Sequence, residues 1–241
     1  MRGFLRLASL LGVLTIAHAA CAGEEGFRPI FDGRSLEGWD GDPKFWRIEE
    51  GAITGEATVA NPCKENTFLI WRGGEPADFE LRLEFRLVSG NSGVQYRSRE
   101  EPAKWGRWVV GGYQADIAYD DTWCAVLHEE RSGAPGRSIM ALPGQKVVAG
   151  ENHESRVVGK FGEVAELRKK VKRGQWNEYR IIAEGNHLRQ FINGQLMVDV
   201  TDNDPQFRRF RGILAFQLHG GFPMKVQFRN IRLKELRHPV D

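Results

Sequence analysis

The chain has no strong surplus of charge, few cysteines and, beyond its first 20 residues, no long apolar run. Lys and Arg together number 34 and Asp and Glu 32 in 241 residues, so the charge balance does not favour nucleic acid or an anionic membrane as a partner. A membrane-spanning helix needs ~18 or more apolar residues in a row, so none is expected after the first 20 residues. The G-x-S-x-G, phosphate-loop, dinucleotide-binding and Cys/His zinc patterns are also missing, which leaves serine-nucleophile and nucleotide chemistry without support.

The first 22 residues have the order of a secretory signal. Two arginines precede an apolar stretch over residues 7–17, and small residues follow it. Cleavage after Ala22 predicts a mature domain of residues 23–241 in the periplasm or outside the cell, although an earlier cleavage site ends at Ala19. Lipid attachment at Cys21 and retention of the segment as an uncleaved anchor are the alternatives.

Removal of this segment changes both the net charge and the cysteine count. It takes away two arginines and no acid, so the mature chain has equal numbers of basic and acidic residues. Cys63 and Cys124 remain, and the oxidising conditions outside the cytoplasm would allow them to pair. Two separate buried thiols are the alternative, because the sequence does not fix the distance between them.

The predicted mature chain has the residue pattern of β-strands joined by turns. Apolar and charged residues alternate over residues 79–87, which predicts a long strand with one solvent-facing side. Asn193-Gly194 between two apolar runs predicts a β-hairpin, and a change of phase over residues 228–231 predicts a bulge in the last strand. Only residues 164–174 have helical spacing and end signals. The sequence therefore predicts a single all-β domain, an antiparallel β-sandwich with one short helix.

Two polar pairs in the middle of the chain are candidate ligands of a substrate. Gln95 and Arg97 alternate with apolar neighbours on a predicted strand, and the Arg97 guanidinium is a natural donor to sugar oxygens. Gln114 and Asp116 share a face in the next segment, where the amide and carboxylate could hold hydroxyl groups or the carboxylate could act as a base. A salt bridge at the edge of the sandwich and a plain solvent-facing surface are the alternatives.

A row of titratable residues and a histidine at a strand end are the other candidates. In the row His128-Glu129-Glu130-Arg131 only alternate members share a strand face, so a metal ion would need further ligands from other strands. A charged loop is the alternative. Gln217 and His219 share a face of a predicted strand, and His219 can be a base, an acid or a ligand, with a structural histidine as the alternative.

Short motifs along residues 27–236 follow the order found in one protein family. They include Phe31-Asp32-Gly33-Arg34-Ser35-Leu36-Glu37-Gly38-Trp39, Asn91-Ser92-Gly93-Val94-Gln95-Tyr96-Arg97-Ser98, Gly112-Tyr113-Gln114, Gln175-Trp176-Asn177-Glu178-Tyr179, Asn193-Gly194 and Phe228-Arg229-Asn230-Ile231. By these motifs the chain resembles the 3-keto-disaccharide hydrolase family of secreted bacterial proteins. The resemblance implies a concanavalin A-like jelly-roll that cleaves glycosides already oxidised to a ketone at C3. After Asp116 the sequence departs from the family's usual tyrosine-glycine turn.

The reaction that the resemblance implies leads to a hypothesis for the roles of the candidate residues. In the expected reaction a base removes the C2 proton, the C1 substituent leaves and an acid protonates it; water can then add across the double bond. Asp116 or Glu130 would be the base, and His219 the acid or a metal ligand. Arg97, Gln114, Gln217 and Arg131 would bind the sugar of an oligosaccharide or glycoside substrate.

One cofactor and one alternative function complete the expectations. A divalent metal ion that polarises the ketone is implied by the resemblance, with His128, Glu129 and His219 as its candidate ligands. A carbohydrate-binding sandwich without activity is the alternative function, because this fold serves binding modules and enzymes alike.

Overall fold

The computed structural model describes residues 25–120, 122–134, 137–150 and 152–236, so the predicted signal segment lies outside the described residues. The described chain forms seventeen strands and two short helices. In chain order they are β1 (Arg28–Pro29), β2 (Trp39–Asp40), β3 (Trp46–Glu49), β4 (Ala52–Ala57), β5 (Thr67–Trp71), β6 (Phe79–Ser89), β7 (Asn91–Glu100), α1 (Pro102–Trp105), β8 (Val110–Ala118), β9 (Leu127–Glu130), β10 (Ile139–Ala141), β11 (Gln145–Ala149), β12 (Ser155–Lys160), α2 (Val164–Arg168), β13 (Asn177–Glu184), β14 (His187–Ile192), β15 (Gln195–Asp202), β16 (Ile213–Leu218) and β17 (Met224–Glu235).

The strands form two sheets that pack face to face. The larger sheet has the strand order β12-β11-β15-β14-β13-β6-β17-β4-β3, with β1 paired to β17. The smaller sheet has the order β10-β9-β8-β7-β16-β5-β2. The predicted jelly-roll β-sandwich is confirmed. It contains one parallel pair, β11 with β15, among otherwise antiparallel neighbours in the described residues, and side-chain alternation carries no information about strand direction.

A continuous apolar core fills the space between the two sheets. The five side chains at alternate positions of β6 from Phe79 to Leu87 are at most 5% exposed. Phe216 of β16 in the smaller sheet stacks on Phe228 of β17 in the larger sheet, with ring centroids 4.0 Å apart. Burial of apolar surface, at roughly 25 cal/mol per Å², is the main force that holds the two sheets together.

Three local predictions from the sequence are confirmed. The alternating stretch forms β6, and Asn193-Gly194 joins β14 and β15 in a hairpin. The pairing of β17 with β6 shifts register between Arg229 and Arg232, where the change of phase predicts a bulge.

The helix content differs from the prediction. The predicted helix is present but α2 ends at Arg168, well before Gly174. A second helix, α1, begins at Pro102, a residue whose fixed φ suits the first helical position. Four residues are too few to produce a recognisable 3.6-residue pattern, so α1 was not predicted.

Two further expectations concern the membrane and the thiols. In the part of the chain that the structure describes, no helix combines the length and apolarity that a membrane span requires. Cys63 and Cys124 are both buried and are two thiols rather than a disulfide.

Candidate active site

A polar cavity lies on the smaller sheet, on the face turned away from the larger sheet. Its volume is about 140 Å³. Gln114 and Gln217 alternate along their strands with core residues, so their side chains leave the opposite face of the sheet. The cavity is lined by Asn66, Asn91, Gln114, Asp116, Trp123, His128, Glu130, Gln217 and His219. Six of these are residues singled out from the sequence, namely Gln114, Asp116, His128, Glu130, Gln217 and His219.

Strand register explains why these residues meet. Strand β8 lies between β7 and β9, and Gln114 is opposite Gln95 on one side and His128 on the other. Asp116 is opposite Gly93. A Cβ atom at Gly93 would lie only 2.6 Å from the Gln114 side chain, so glycine at this position leaves room for the Gln114 amide to lie across β7.

Asp116 lines the cavity although it is only 2% exposed. Burial raises the pKa of its carboxyl group to about 7. The positive charge of His128 and a hydrogen bond from Gln114 Nε2 to Oδ1 (2.6 Å) oppose that rise. A carboxyl group with a pKa near neutrality can both take up and release a proton at physiological pH, as a general base must.

His128 and Glu130 form a pair on the neighbouring strand. His128 Nε2 lies 3.4 Å from Glu130 Oε2, and His128 Nδ1 donates to the carbonyl oxygen of Ser138. Burial lowers the pKa of His128, but the hydrogen bond to Glu130 and the charges of Asp116 and Glu130 outweigh burial and raise it above its ordinary value. Because a carbonyl oxygen can only accept, Nδ1 keeps its hydrogen and the exchangeable proton is on Nε2.

His219 and the side-chain amides supply further polar groups. His219 Nδ1 lies 2.6 Å from the carbonyl oxygen of Gly220, which leaves Nε2 as the nitrogen available to a ligand. Gln217 Oε1 accepts from Gln114 Nε2 at 3.3 Å, and Asn66 Oδ1 accepts from the Gly220 amide at 3.0 Å. The NH₂ groups of Gln217 and Asn66 are the donors that these amides can offer to a sugar.

Three lining residues, Asn66, Asn91 and Trp123, are absent from the predicted site. Asn91 could have been predicted from strand alternation, because it lies two positions before Gly93 on β7 and so shares the strand face that is opposite Asp116. Asn66 lies just before β5 and Trp123 lies in a turn, outside any alternating pattern. Trp123 packs edge-on against the His128 ring, with centroids 5.6 Å apart, where an indole can stack on a sugar.

Arg97 does not reach the cavity, which corrects its predicted role in sugar binding. The pairing of β7 with β8 shifts register between Tyr96 and Arg99, and Arg97 itself is left-handed (φ 46°). This bulge breaks the alternation that would have placed Arg97 beside Gln95. The Arg97 side chain is instead completely buried.

All three nitrogens of the Arg97 guanidinium donate to other groups of the protein. It donates to the carbonyl oxygens of Ala77 (2.9 Å), Gly185 (2.6 Å) and Arg209 (3.0 Å) and to Asp78 Oδ1 (2.8 Å). Arg97 therefore ties three chain segments to the end of β7 and has a structural role.

Arg97→Met is expected to lower the free energy of unfolding by about 2–3 kcal/mol, because it leaves buried carbonyl oxygens without a donor. The KM for a sugar substrate should stay at the wild-type value, because Arg97 does not touch the cavity. Urea unfolding and steady-state kinetics on the same preparation check both statements. A raised KM with unchanged stability would instead identify Arg97 as a substrate ligand.

Glu129 points into the core, which corrects its candidacy as a metal ligand. The alternation that turns its two neighbours towards the cavity turns Glu129 to the opposite face. There it accepts from Arg137 Nε, while Nη2 of Arg137 lies 2.5 Å from Asp202 Oδ2 and Nη1 lies 3.3 Å from Asp204 Oδ2. The four side chains are at most 1% exposed and form a buried ion network.

Arg131 borders the cavity without lining it, which corrects its predicted contact with the sugar. Its backbone is left-handed (φ 53°), so the alternation of β9 ends at this residue. The guanidinium lies over the Trp105 ring, 5.8 Å from the centroid, with Nε 3.7 Å from Glu130 Oε1. Arg131 thus contributes a positive charge beside Glu130.

The cavity does not present a metal-binding set. Among the described residues, no three His, Cys, Asp or Glu side chains are grouped so that they could hold a metal ion. Nδ1 of His128 is hydrogen-bonded to the carbonyl oxygen of Ser138, and its Nε2 faces Glu130. Glu129 lies in the core and does not reach the cavity. The divalent metal ion that the resemblance implies therefore has no set of ligands among the described residues of this cavity.

Solved structures share the fold at low sequence identity. Two proteins from Parabacteroides distasonis ATCC 8503, each provisionally named a glycosyl hydrolase, align with TM-scores of 0.57 and 0.56 at 19% and 22% identity. These alignments cover 88% and 87% of this chain and 95% and 99% of those chains. The carbohydrate-binding module CBM66 from Bacillus subtilis aligns with a TM-score of 0.51 at 13% identity, over 82% of this chain and 95% of that one. At such identities the similarity shows the fold alone.

The sequence itself matches one family. No curated protein sequence matches the chain. The profile of the 3-keto-alpha-glucoside-1,2-lyase-like domain matches residues 26–234, nearly the same span as the ordered motifs at residues 27–236. The match covers 209 of the 241 residues. The chain therefore belongs to the 3-keto-alpha-glucoside-1,2-lyase-like domain family, and its function is related to carbohydrates.

Proposed function

We propose that this protein cleaves glycosides whose sugar carries a ketone at C3, by removing the C2 proton and expelling the C1 substituent. The observation that carries the proposal is that one cavity holds a buried carboxyl group with a pKa of about 7 and, on the next strand, a histidine whose pKa is raised. The first can act as a base and the second as an acid at the same neutral pH.

The bond changes follow from the ketone. The ketone acidifies the C2 hydrogen, so the C2–H bond breaks and its proton passes to the Asp116 carboxylate. The electron pair is held as an enolate on the ketone oxygen and then forms the C1–C2 double bond. The C1–O bond breaks at that point, and the leaving oxygen takes the proton from His128 Nε2. Addition of water across the double bond would give the free 3-keto sugar, so elimination followed by hydration has the same end product as hydrolysis.

The enolate needs donors aimed at the ketone oxygen. The NH₂ groups of Gln217 and Asn66 belong to the cavity lining, as does His219, so they are the residues we assign to this role. Gln114 is excluded from it, because its NH₂ group already donates to Asp116 and to Gln217. Gln114 therefore orients the base, which revises its predicted contact with the sugar.

The pH dependence of kcat/KM is expected to be bell-shaped. On the acid side, activity should fall below pH about 7 as Asp116 becomes protonated, since burial raises its pKa to about 7. On the alkaline side, activity should fall as His128 loses its proton, at a pH above the ordinary histidine value because Glu130 and Asp116 raise its pKa. Steady-state kinetics across this range check the profile, and an activity that does not change between pH 5 and 9 would contradict it.

The function is tested with purified protein that begins at the predicted mature residue Gly23. A 3-keto-glucoside with a chromogenic leaving group should release it, whereas the matched glucoside with a C3 hydroxyl should not, because its C2 hydrogen is not acidic. Saturable sugar binding without release from either compound would favour the binding-module alternative.

The same assay tests the predicted metal ion. Release should be compared before and after EDTA, and again after addition of a divalent ion. Loss in EDTA that the ion restores would establish a metal in the reaction. Equal release in EDTA would show that proton transfer to Asp116 and from His128 needs no metal ion.

A further inference from the structure

A line of buried hydrogen bonds runs across β7 and β8 and ends at Asp116. Ser98 Oγ donates to Gln95 Oε1 (2.6 Å), and Gln95 Nε2 donates to Gln114 Oε1 (2.7 Å). Gln114 Nε2 then donates to Asp116 Oδ1 (2.6 Å). All four residues are at most 3% exposed. In these hydrogen bonds every donor points towards the carboxylate, so each amide has a definite direction. This line of four residues is called the relay.

We propose that Ser98 is a positioning residue whose hydroxyl hydrogen sets the direction of the relay, so that Gln114 offers an N–H group and not its oxygen to the Asp116 carboxylate. The proposal rests on the proposed function, in which Asp116 must be ionised to take the C2 proton. If the two amides were reversed, the Gln114 oxygen would face the carboxyl group, and only a protonated Asp116 could donate to it.

The surroundings of Ser98 favour this direction. The hydroxyl donates to Gln95 Oε1 at 2.6 Å, whereas its other acceptor, the carbonyl oxygen of Tyr96, lies farther away at 3.2 Å. A Cβ atom at Gly112 would lie 2.5 Å from Ser98 Oγ, so glycine leaves room for the hydroxyl. Ser98 does not line the cavity and so acts through Gln95 and Gln114.

The charged and titratable groups around Asp116 come from four directions. Strand β9 contributes His128 and Glu130, the segment after β8 contributes Asp120, and the segment after β16 contributes His219, which lines the same cavity. From the larger sheet Tyr179 is the nearby titratable group, and burial raises its pKa well above the ordinary value, so it stays neutral. Strand β7 places Gly93 opposite Asp116 and adds no charge there. Ser98, Gln95 and Gln114 carry no charge, so the hydrogen bond that the relay donates to the ionised carboxylate acts in addition to these charges.

The test is a direct titration of Asp116 in Ser98→Ala. The protein is labelled with ¹³C-aspartate, and the Asp116 carboxyl signal is identified by its absence from Asp116→Asn. Without the Ser98 hydroxyl the amides can reverse, so the midpoint of the titration is expected to move upwards by about 0.5–1 pH unit. If Ser98→Ala does not fold, Gln95→Met cuts the same relay and should move the midpoint in the same direction.

Ser92→Ala is the matched control. Ser92 is an equally buried serine of β7, but it donates to the backbone carbonyl oxygen of Gln217 at 2.7 Å and has no place in the relay. Its removal should leave the Asp116 midpoint unchanged. An unchanged midpoint in folded Ser98→Ala, or an equal shift in Ser92→Ala, would overturn the proposal. Because the titration needs no substrate, the relay can fail while the proposed cleavage stands, and the reverse also holds.

Discussion

Replacing Asp116 by Asn is expected to lower the turnover of a 3-keto glycoside by ~100-fold or more. Asparagine has the same shape and can still accept the hydrogen bond that Gln114 donates to Oδ1, but it cannot take the C2 proton. Because the loss concerns the transition state, kcat should fall while KM stays close to its wild-type value. Asp199→Asn is the matched control, since Asp199 lies on β15 of the larger sheet, where it pairs with His187, and does not line the cavity. Unchanged turnover in Asp116→Asn would remove Asp116 from the mechanism.

A stability measurement separates this loss from misfolding. Burial raises the pKa of Asp116 from 3.8 to about 7, so between these pH values the folded state holds a proton that the unfolded state has released. The contribution of Asp116 to stability therefore falls as the pH rises through this window. Asp116→Asn removes that contribution and should be more stable than the wild type at pH 8, with the difference vanishing below pH 3.8. An inactive variant that is also less stable at pH 8 would point to structural damage.

Arg137→Met is expected to lower the free energy of unfolding by about 3–5 kcal/mol. Arg137 is completely buried among Glu129, Asp202 and Asp204, and methionine would remove the guanidinium that pairs with all three carboxylates. Asp202 would keep only its bond from Tyr113, and Asp204 its contact with His153, among their side-chain partners in the described residues. The total stability of a domain is only about 5–15 kcal/mol, so the loss should be plain in a denaturant titration at pH 8. The deficit should shrink as the pH is lowered, because protonation relieves unpaired carboxylates.

Arg28→Met provides the comparison for this experiment. Arg28 pairs with Glu235 at 3.3 Å, but both side chains are about half exposed, at 49% and 63%. An exposed ion pair contributes less than about 1 kcal/mol, so this variant should unfold close to the wild type. Equal losses in the two variants would contradict a special role for the buried network.

Local pattern predicted the strand faces of the site well. The alternation over Gln114 and Asp116, and over His128 and Glu130, identifies side chains that share a strand face, and all four line the cavity. Period-2 alternation is a local property of the backbone, so it can be read without knowing the partner strands. The roles of these residues in the reaction stay predictions.

Local pattern fails where the backbone departs from a regular strand. Arg97 follows the alternation of its neighbours in sequence, yet the bulge between Tyr96 and Arg99 sends it into the interior. Neither the bulge nor the carbonyl oxygens that receive its guanidinium are marked in the sequence around it. The left-handed conformation at Arg131 ends the alternation of β9 in the same way.

Contacts between distant segments could also not be predicted from the sequence. Arg137 comes from an irregular segment before β10, while Asp202 ends β15, and nothing near either residue signals the other. Nothing near Gln217 signals its place in the cavity either. It lines the cavity because β16 pairs with β7, although 112 residues separate the end of β7 from the start of β16. Strand order is set by packing of the whole sandwich, so it needs the three-dimensional structure.

The most direct test of the account is the rate of leaving-group release from a 3-keto-glucoside that carries deuterium at C2, compared with the same compound carrying hydrogen. If Asp116 removes the C2 proton in the rate-determining step, the deuterated compound should release its leaving group more slowly. The difference should persist across the pH range in which the enzyme is active. Equal release from both compounds, together with equal release from the glucoside that has a C3 hydroxyl, would contradict proton removal next to a ketone as the basis of cleavage.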